Sequence, residues 1–324
     1  MEKLRYIDLF CGIGGFRLGF EQACSEHDVI SESVFSSDID PYCQVAYEHN
    51  FGELPKGDLT LISERDIPDH DVLLAGFPCQ AFSIIGHMKG FQDTRGTLFF
   101  DVARILNEKK PKGFIIENVK QLVGHDKGKT LKVILESLRE IGYHVQYSVL
   151  NALDYGLPQK RERVIIVGHR EPILFNFPSP QRNYTPLEEI LETRVDKKHY
   201  ASDYIQNKRK MKHTSSYPLS IWHENKSGNI CSYPYSCALR AGASYNYLLV
   251  NGERRLTSRE MLRLQGFPDN YEVVVTDGQL RKQAGNAVPV NIVKAVAQKL
   301  LPFISETIDT GLVLREYEIK YGNK

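Results

Sequence analysis

Short apolar runs alternate with amphipathic stretches through the first 170 residues of the chain. RYIDLF, SVFSS, DVLLAGF, GFIIENV, HVQYSVL and RVIIVG are rich in β-branched and aromatic residues and read as strands. Between several of them, Phe16 to Cys24, Tyr42 to His49, Thr97 to Asn107 and Lys129 to Ile141 carry the spacing of amphipathic helices. Asp40 followed by Pro41 gives the second of these an N-cap and a first-turn proline. Strands separated by helices predict an α/β protein: a doubly wound, mostly parallel sheet covered on both faces. The last two strands are joined only by a loop, which predicts an antiparallel pair.

Near residue 171 the pattern breaks. Pro172, Pro178, Pro180 and Pro186 punctuate a stretch without clear periodicity, and tyrosines and polar residues dominate as far as Val250. The division expected is a larger domain of residues 1–183 and 277–324 and a smaller, irregular one of residues 184–276. ERRLTSREMLRLQGFP (253–268) regains helical spacing, with Thr257 or Ser258 as cap and Glu260 in the first turn. Val288 to Ile304 predicts a last helix that packs back on the larger domain.

Composition changes this picture little. With 42% hydrophobic and 25% charged residues, the 324-residue chain has the make-up of an ordinary globular protein. It has no run of about 18 apolar residues, which argues against a membrane span. MEKLRYIDLF enters a strand pattern at once and lacks a signal-peptide layout, so a cytoplasmic enzyme is expected. Cys11, Cys24, Cys43, Cys79, Cys231 and Cys237 form no CxxC pair, and the ten histidines show no ligand spacing. Neither a metal site nor a disulfide framework is expected. The net charge of +1 announces no nucleic-acid partner, although residues 184–276 hold 13 Lys and Arg against 10 Asp and Glu. That region includes the basic run NKRKMKH (207–213); such a run is more often a solvated face than a phosphate contact.

Candidate chemistry gathers at the predicted strand ends. After RYIDLF, the run CGIGG brings Gly12 and Gly14 to a strand-to-helix turn, where backbone can approach a ligand and the helix N-terminus favours anions. SSDID places Asp38 where an acid accepts hydrogen bonds from ribose hydroxyls, and GDLT, taken as the third strand end, offers Asp58 to an adenine amine. The spacing GxGG departs from the GxGxxG of dinucleotide enzymes. DVLLAGFPCQAFS sets Cys79 behind Pro78, just past an apolar strand. Most free cysteines are inert, but a thiolate here suits attack on C6 of cytosine, which makes C5 nucleophilic. Glu117, in GFIIENV, is placed to serve N3 of the base as acid or hydrogen-bond partner. Arg161 and Arg163, in QKRERV, alternate on one strand face and could hold the base carbonyl or a flanking phosphate.

Taken in order, DLFCGIGGF, SSDID, GDLT, GFPCQAFS, GTLFFDVARI, ENV, QKRERV, RRLTSREMLRLQGFP and QAGNAVP closely resemble the motifs of bacterial DNA C5-cytosine methyltransferases of restriction-modification systems. The likeness covers the chain except for about residues 171 to 250. It implies a class I, Rossmann-like catalytic domain using S-adenosylmethionine, a small target-recognition domain, and a cytosine flipped from double-stranded DNA between them. It further implies Cys79 as nucleophile, Glu117 as its N3 partner, and Gln80, Ser83, Arg161 and Arg163 lining the pocket or DNA. Cofactor contacts are implied for Phe10, Gly12, Gly14, Asp38, Ile39, Asp58, Pro78, Leu98, Asn286 and Ala287. The loop from Phe82 to about Gly96 would close over DNA. A monomer, confined to bacterial cytoplasm and nucleoid and paired in function with a restriction endonuclease, is what the resemblance leads one to expect.

Three positions depart from the family pattern. Ile39 stands where some members stack an aromatic ring on adenine, and Ala287 stands where serine is frequent, leaving a backbone contact at most. Ala238-Leu239 replaces a common Thr-Leu pair ahead of the recognition loop. A tRNA cytosine C5-methyltransferase shares the motif order but carries Cys-Phe-Thr near the recognition region. Here the corresponding runs are Cys231-Ser232-Tyr233 and Cys237-Ala238-Leu239. A catalytically silent cofactor-binding regulator would have lost Cys79 or Glu117, and both are present.

Overall fold

A computed structural model describes residues 3–78, 98–172 and 174–305. Through residue 169 its strands are β1 (Leu4–Leu9), β2 (Ser31–Ser37), β3 (Val72–Ala75), β4 (Gly113–Val119), β5 (His144–Asn151), β6 (Gln159–Lys160) and β7 (Glu162–His169). Interleaved with them are α1 (Gly15–Glu26), α2 (Pro41–Phe51), α3 (Leu98–Lys109) and α4 (Lys129–Glu140). Asp40 caps α2 through its carboxylate to the Tyr42 amide, with Pro41 behind it, as the sequence predicts.

The main sheet runs β2-β1-β3-β4-β7-β5. The first four strands pair in parallel, and β7 is antiparallel to both neighbours, β4 and β5. The expected antiparallel last pair is therefore present, with β7 inserted between β4 and β5. Strand periodicity sorts side chains to two cores. Ile7, Leu9, Leu73, Phe114 and Ile116 face α3 and α4, while Tyr6, Leu74, Ile115 and Ile165 face α1 and the C-terminal helix α9 (Val290–Ile304). Ile292, Val293, Val296, Ala297, Leu300 and Leu301 of that helix are fully buried. Burial of this helix accounts for an apolar stretch within 277–304 that matches a membrane-crossing helix by length and composition alone.

Between β7 and α9 lie α5 (Leu187–Ile190), α6 (Asp203–Lys212), β8 (Ile221–Glu224), β9 (Ile230–Tyr233), β10 (Ser236–Cys237), β11 (Leu248–Val250), α7 (Ser258–Leu264) and α8 (Asp277–Asn286). Strands β11, β8 and β9 form a small antiparallel sheet, and β10 pairs with β6 beside the larger one. Helix α7 is shorter than its sequence pattern, because Thr257 begins it with a full capping box to Glu260 and Gly266, at φ 84°, follows its end. It stands between two cores. Met261 and Leu264 pack with Leu239, Leu248 and Leu256, whereas Leu262, Phe267 and Tyr271 pack with Ile13 of the glycine turn and Ala46 of α2.

GDLT does not end a strand. Asp58 caps a single 3-10 turn, Leu59–Leu61, between α2 and β3, its carboxylate accepting from the Thr60 amide and hydroxyl. The segment still reaches the binding edge, because Lys56 bridges to Ser37 at the end of β2.

Candidate active site

Parallel strands deliver their carboxyl ends to one edge of a sheet, where such folds bind ligands. Here β1, β2, β3 and β4 bring Phe10 to Gly12, Ser37 to Ile39, Gly76 to Pro78 and Glu117 to Val119 to the same edge. Strand β7 runs the other way, so its start contributes Arg161 and Arg163 there. Together these segments line a cleft of about 780 Å³, closed on the far side by Leu239 to Gly242 and Gly285 to Val288. The volume lies in the range of small-molecule and cofactor sites.

One half of the cleft is built on the glycine turn. Gly12, at φ 54°, needs the left-handed region, and a Cβ there would meet nothing within 4 Å, so its backbone faces open space. Asp38 pins this turn: one carboxylate oxygen accepts from the Gly12 amide at 2.8 Å and the other from the Asp40 amide at 2.8 Å. Burial pushes the Asp38 carboxyl above its usual range, and the two amides oppose the rise. Ile39 is 70% exposed beside it and gives the cleft an apolar face. Asp58 and Leu98 also line this half.

The other half is polar and more deeply buried. Glu117 and Arg163 are diagonal neighbours across the β4–β7 pair, where Arg163 opposes Val119. Arg163 Nε meets Glu117 Oε1 at 2.7 Å, with both side chains largely buried. Desolvation raises the Glu117 carboxyl above its usual range; Arg163 and, more distantly, Arg161 restrain the rise. Asn118 donates from Nδ2 to the Phe77 carbonyl at 2.9 Å and fixes the backbone that leads into Pro78.

A scan of family models matches residues 4–302 to the C-5 cytosine-specific DNA methylase model. The chain belongs to that family. The Type II methyltransferase M.NgoBI of Neisseria gonorrhoeae is 56% identical over 293 residues, covering 89% of this chain and 90% of its own length. M.HaeII of Haemophilus aegyptius, also a Type II methyltransferase, is 54% identical over 305 residues, covering 93% and 94%. Among solved structures, the Entamoeba histolytica methyltransferase EhMeth superposes with a TM-score of 0.73 at 19% identity, over 94% of this chain and all of that one, a likeness of fold.

Within this methylase the predicted residues do not all behave as the sequence suggested. Phe10, Gly12, Asp38, Ile39, Asp58, Pro78, Leu98, Glu117, Arg163, Asn286 and Ala287 line one cleft. Gly14 does not. Its amide donates to the Cys11 carbonyl, and a Cβ would lie 2.2 Å from the Phe51 ring, so it serves the turn at φ 83°. Ala287 has no backbone group to spare, because its carbonyl accepts from Arg161 and Gln265 and its amide donates to Gln283. Arg161 lines the cleft without being exposed: its Nη1 donates to Leu239 O at 2.8 Å, and Nη2 to Gly285 O and Ala287 O at 3.0 and 2.8 Å. Nη1 and Nη2 thus hold three carbonyls, while Nε is buried with no hydrogen-bond partner among the described residues. Cys79, Gln80, Ser83 and the Phe82 to Gly96 loop lie outside the described residues.

Sequence reasoning missed the wall opposite the strand ends. Arg240, Ala241 and Gly242 line the cleft, with Arg240 stacked 5.0 Å over the Tyr247 ring. Gln283 lines it too. The one available signal was QAGN itself: Gly285 is required because a Cβ would stand 2.3 Å from the Ala241 amide nitrogen.

Proposed function

We infer that this methylase transfers a methyl group from S-adenosylmethionine to C5 of a cytosine flipped out of a specific short site in duplex DNA. The methyl mark would protect the host's DNA from a paired restriction endonuclease. The reading is carried by the buried Glu117–Arg163 pair, which shares its sheet edge with the Gly12–Asp38 turn and with Pro78, the residue before Cys79.

The donor set suits the cofactor. Asp38 offers carboxylate to ribose hydroxyls, Ile39 an apolar surface to a purine, and Asp58 an acceptor to its amine. When bound, the cofactor supplies an electrophilic methyl group. The Cys79 thiolate adds through Sγ to C6, while Glu117 donates a hydrogen bond or proton to N3 and takes up the developing charge. Arg163 holds the Glu117 carboxyl in position. Methyl transfer to C5 would leave S-adenosylhomocysteine; C5 then loses its proton to a base as Sγ leaves C6, which restores the ring. Stacked in a duplex, the base exposes neither face of C6, so flipping is required, at a cost of a few kcal/mol.

The test is adduct formation on duplex DNA. A site carrying 5-fluorocytosine should trap a covalent complex, since fluorine cannot leave as a proton does, and Cys79→Ser should bind DNA without trapping. Undiminished methylation by Cys79→Ser would overturn the mechanism. Bisulfite sequencing of host DNA expressing the protein reads target and reaction together; methyl transfer to tRNA and none to duplex DNA would reverse the choice of substrate.

A further inference from the structure

The basic run 207–213 resolves into parts with different duties. Helix α6 carries most of it, and Lys210 turns to Glu253 at 2.5 Å, away from the remainder. Arg209 is 2% exposed. Its Nη2 donates to Glu224 Oε2 at 2.9 Å and to the Asn246 carbonyl, while Nε and Nη1 are buried with no partner among the described residues. Unspent donors on a buried cation are uncommon in a folded protein.

Arg209 forms part of the wall of a pocket of about 240 Å³ between α6 and residues 244–246. Tyr204, Lys208 and Lys212 follow one another at intervals of four along α6, so they share one helical stripe, and all three line that pocket. Both lysines are exposed, and neither has an ion pair among the described residues. Three cations thus meet one carboxylate, Glu224, with Ser244 on the opposite wall. Like charges four residues apart on a helix repel, and an anion between them would relieve the repulsion.

The opposite wall indicates which anion. Ser244 follows Gly242 by two residues, a reach of about 7 Å, and Gly242 lines the catalytic cleft. DNA with a base in that cleft must carry its flanking backbone past this segment. We propose that the α6 pocket clamps one backbone phosphate of the substrate duplex beside the flipped nucleotide, with Lys208 and Lys212 as its cationic jaws. This rests on the inferred action on duplex DNA. It adds a fixed phosphate contact from a helix outside the cleft, one that positions the duplex without reading sequence.

The experiment compares wild type with Lys208→Gln/Lys212→Gln on a duplex containing the mapped site, over a series of salt concentrations. Each phosphate neutralised contributes about 0.9 to the slope of log K against log salt. The double variant should lose about one unit of slope and several-fold in affinity, with cofactor affinity and melting temperature unchanged. A methylphosphonate moved stepwise along the backbone should weaken wild type at one position where the variant loses nothing further. An unchanged slope and no such position, in a protein that still binds and methylates duplex, would overturn the clamp alone. Wild type that neither binds nor methylates duplex would sink the function reading and the clamp together. Inorganic phosphate that stabilises wild type and not the variant, with an unchanged slope, would assign the pocket to a free anion and also overturn the clamp.

Discussion

Replacing Arg161 with alanine separates two roles for this residue. In the structure the side chain has no exposure, and its Nη1 and Nη2 serve the carbonyls of Leu239, Gly285 and Ala287. A buried acceptor left unpaired costs about 1–3 kcal/mol. Ala287 O keeps Gln265 as a second donor at 3.3 Å, so two carbonyls are fully orphaned. Against this, the variant no longer has to bury a charge, whose strain shows in an Arg161 pKa pushed down to about 9 by desolvation and by Arg163. The net expected loss is about 3 kcal/mol, the cost of two orphaned acceptors less the relief of the buried charge. At about 2 °C per kcal/mol for a chain of this size, melting should fall by roughly 6 °C in calorimetry. Arg161→Lys should recover little, because one ammonium cannot span three carbonyls. Lys160→Ala, at an exposed neighbour, should stay within about 0.5 kcal/mol of wild type. An Arg161→Ala protein that melts like wild type yet fails to methylate would refute the structural role of these three hydrogen bonds and favour the arginine as a substrate contact.

Two further outcomes follow from the same cleft. Because the folded-state pKa of Glu117 lies above its ordinary 4.5, the folded protein binds this proton more readily than the unfolded chain. Its contribution to stability is full below 4.5 and is lost as pH climbs to the raised value; Glu117→Gln should remove that slope from the curve of melting temperature against pH. The same variant should slow single-turnover methylation by about 10²–10⁴-fold, the usual worth of a positioned acid, and lose the alkaline limb of the pH–rate profile; a profile identical to wild type would exclude Glu117 as the proton source. Gly285→Ala puts a Cβ 2.3 Å from the Ala241 nitrogen, where only backbone can yield. It should cost about 1–3 kcal/mol in urea unfolding and weaken DNA binding, and unaltered behaviour in both would show that the two segments part freely.

What the sequence disclosed follows the strength of its periodicities. Six strands and their helices were legible because each buries two apolar faces or one broad stripe, as with Ile115, Ile116, Ile165 and Ile166. The position of β7 was not, since nothing in RVIIVG says which of two apolar strands it will pair with. Helix α8 was hidden because its buried face is Leu280, Gln283, Ala284 and Gly285, too polar and too small to make a stripe. Strands β8, β9 and β11 are three or four residues long, below the length at which alternation can be seen. Asp58 reached the expected cleft by another route, from a 3-10 turn rather than a strand end.

The two arginines of QKRERV show where spacing stops being informative. Both sit at the start of β7 and both border the cleft. Arg163 finds its partner one strand away, and a register argument could have paired it with Glu117. Arg161 finds its carbonyls 78, 124 and 126 residues further along the chain, in segments with no local signature of the contact. Its charge therefore looked available when it was already committed. That commitment has a consequence for the whole site. These hydrogen bonds join Leu239, which leads into the wall of Arg240 to Gly242, to Gly285 and Ala287 on the same cleft. A shift of either segment must strain the same guanidinium, so the surface that would meet DNA and the one that would hold the cofactor are tied to the start of one strand.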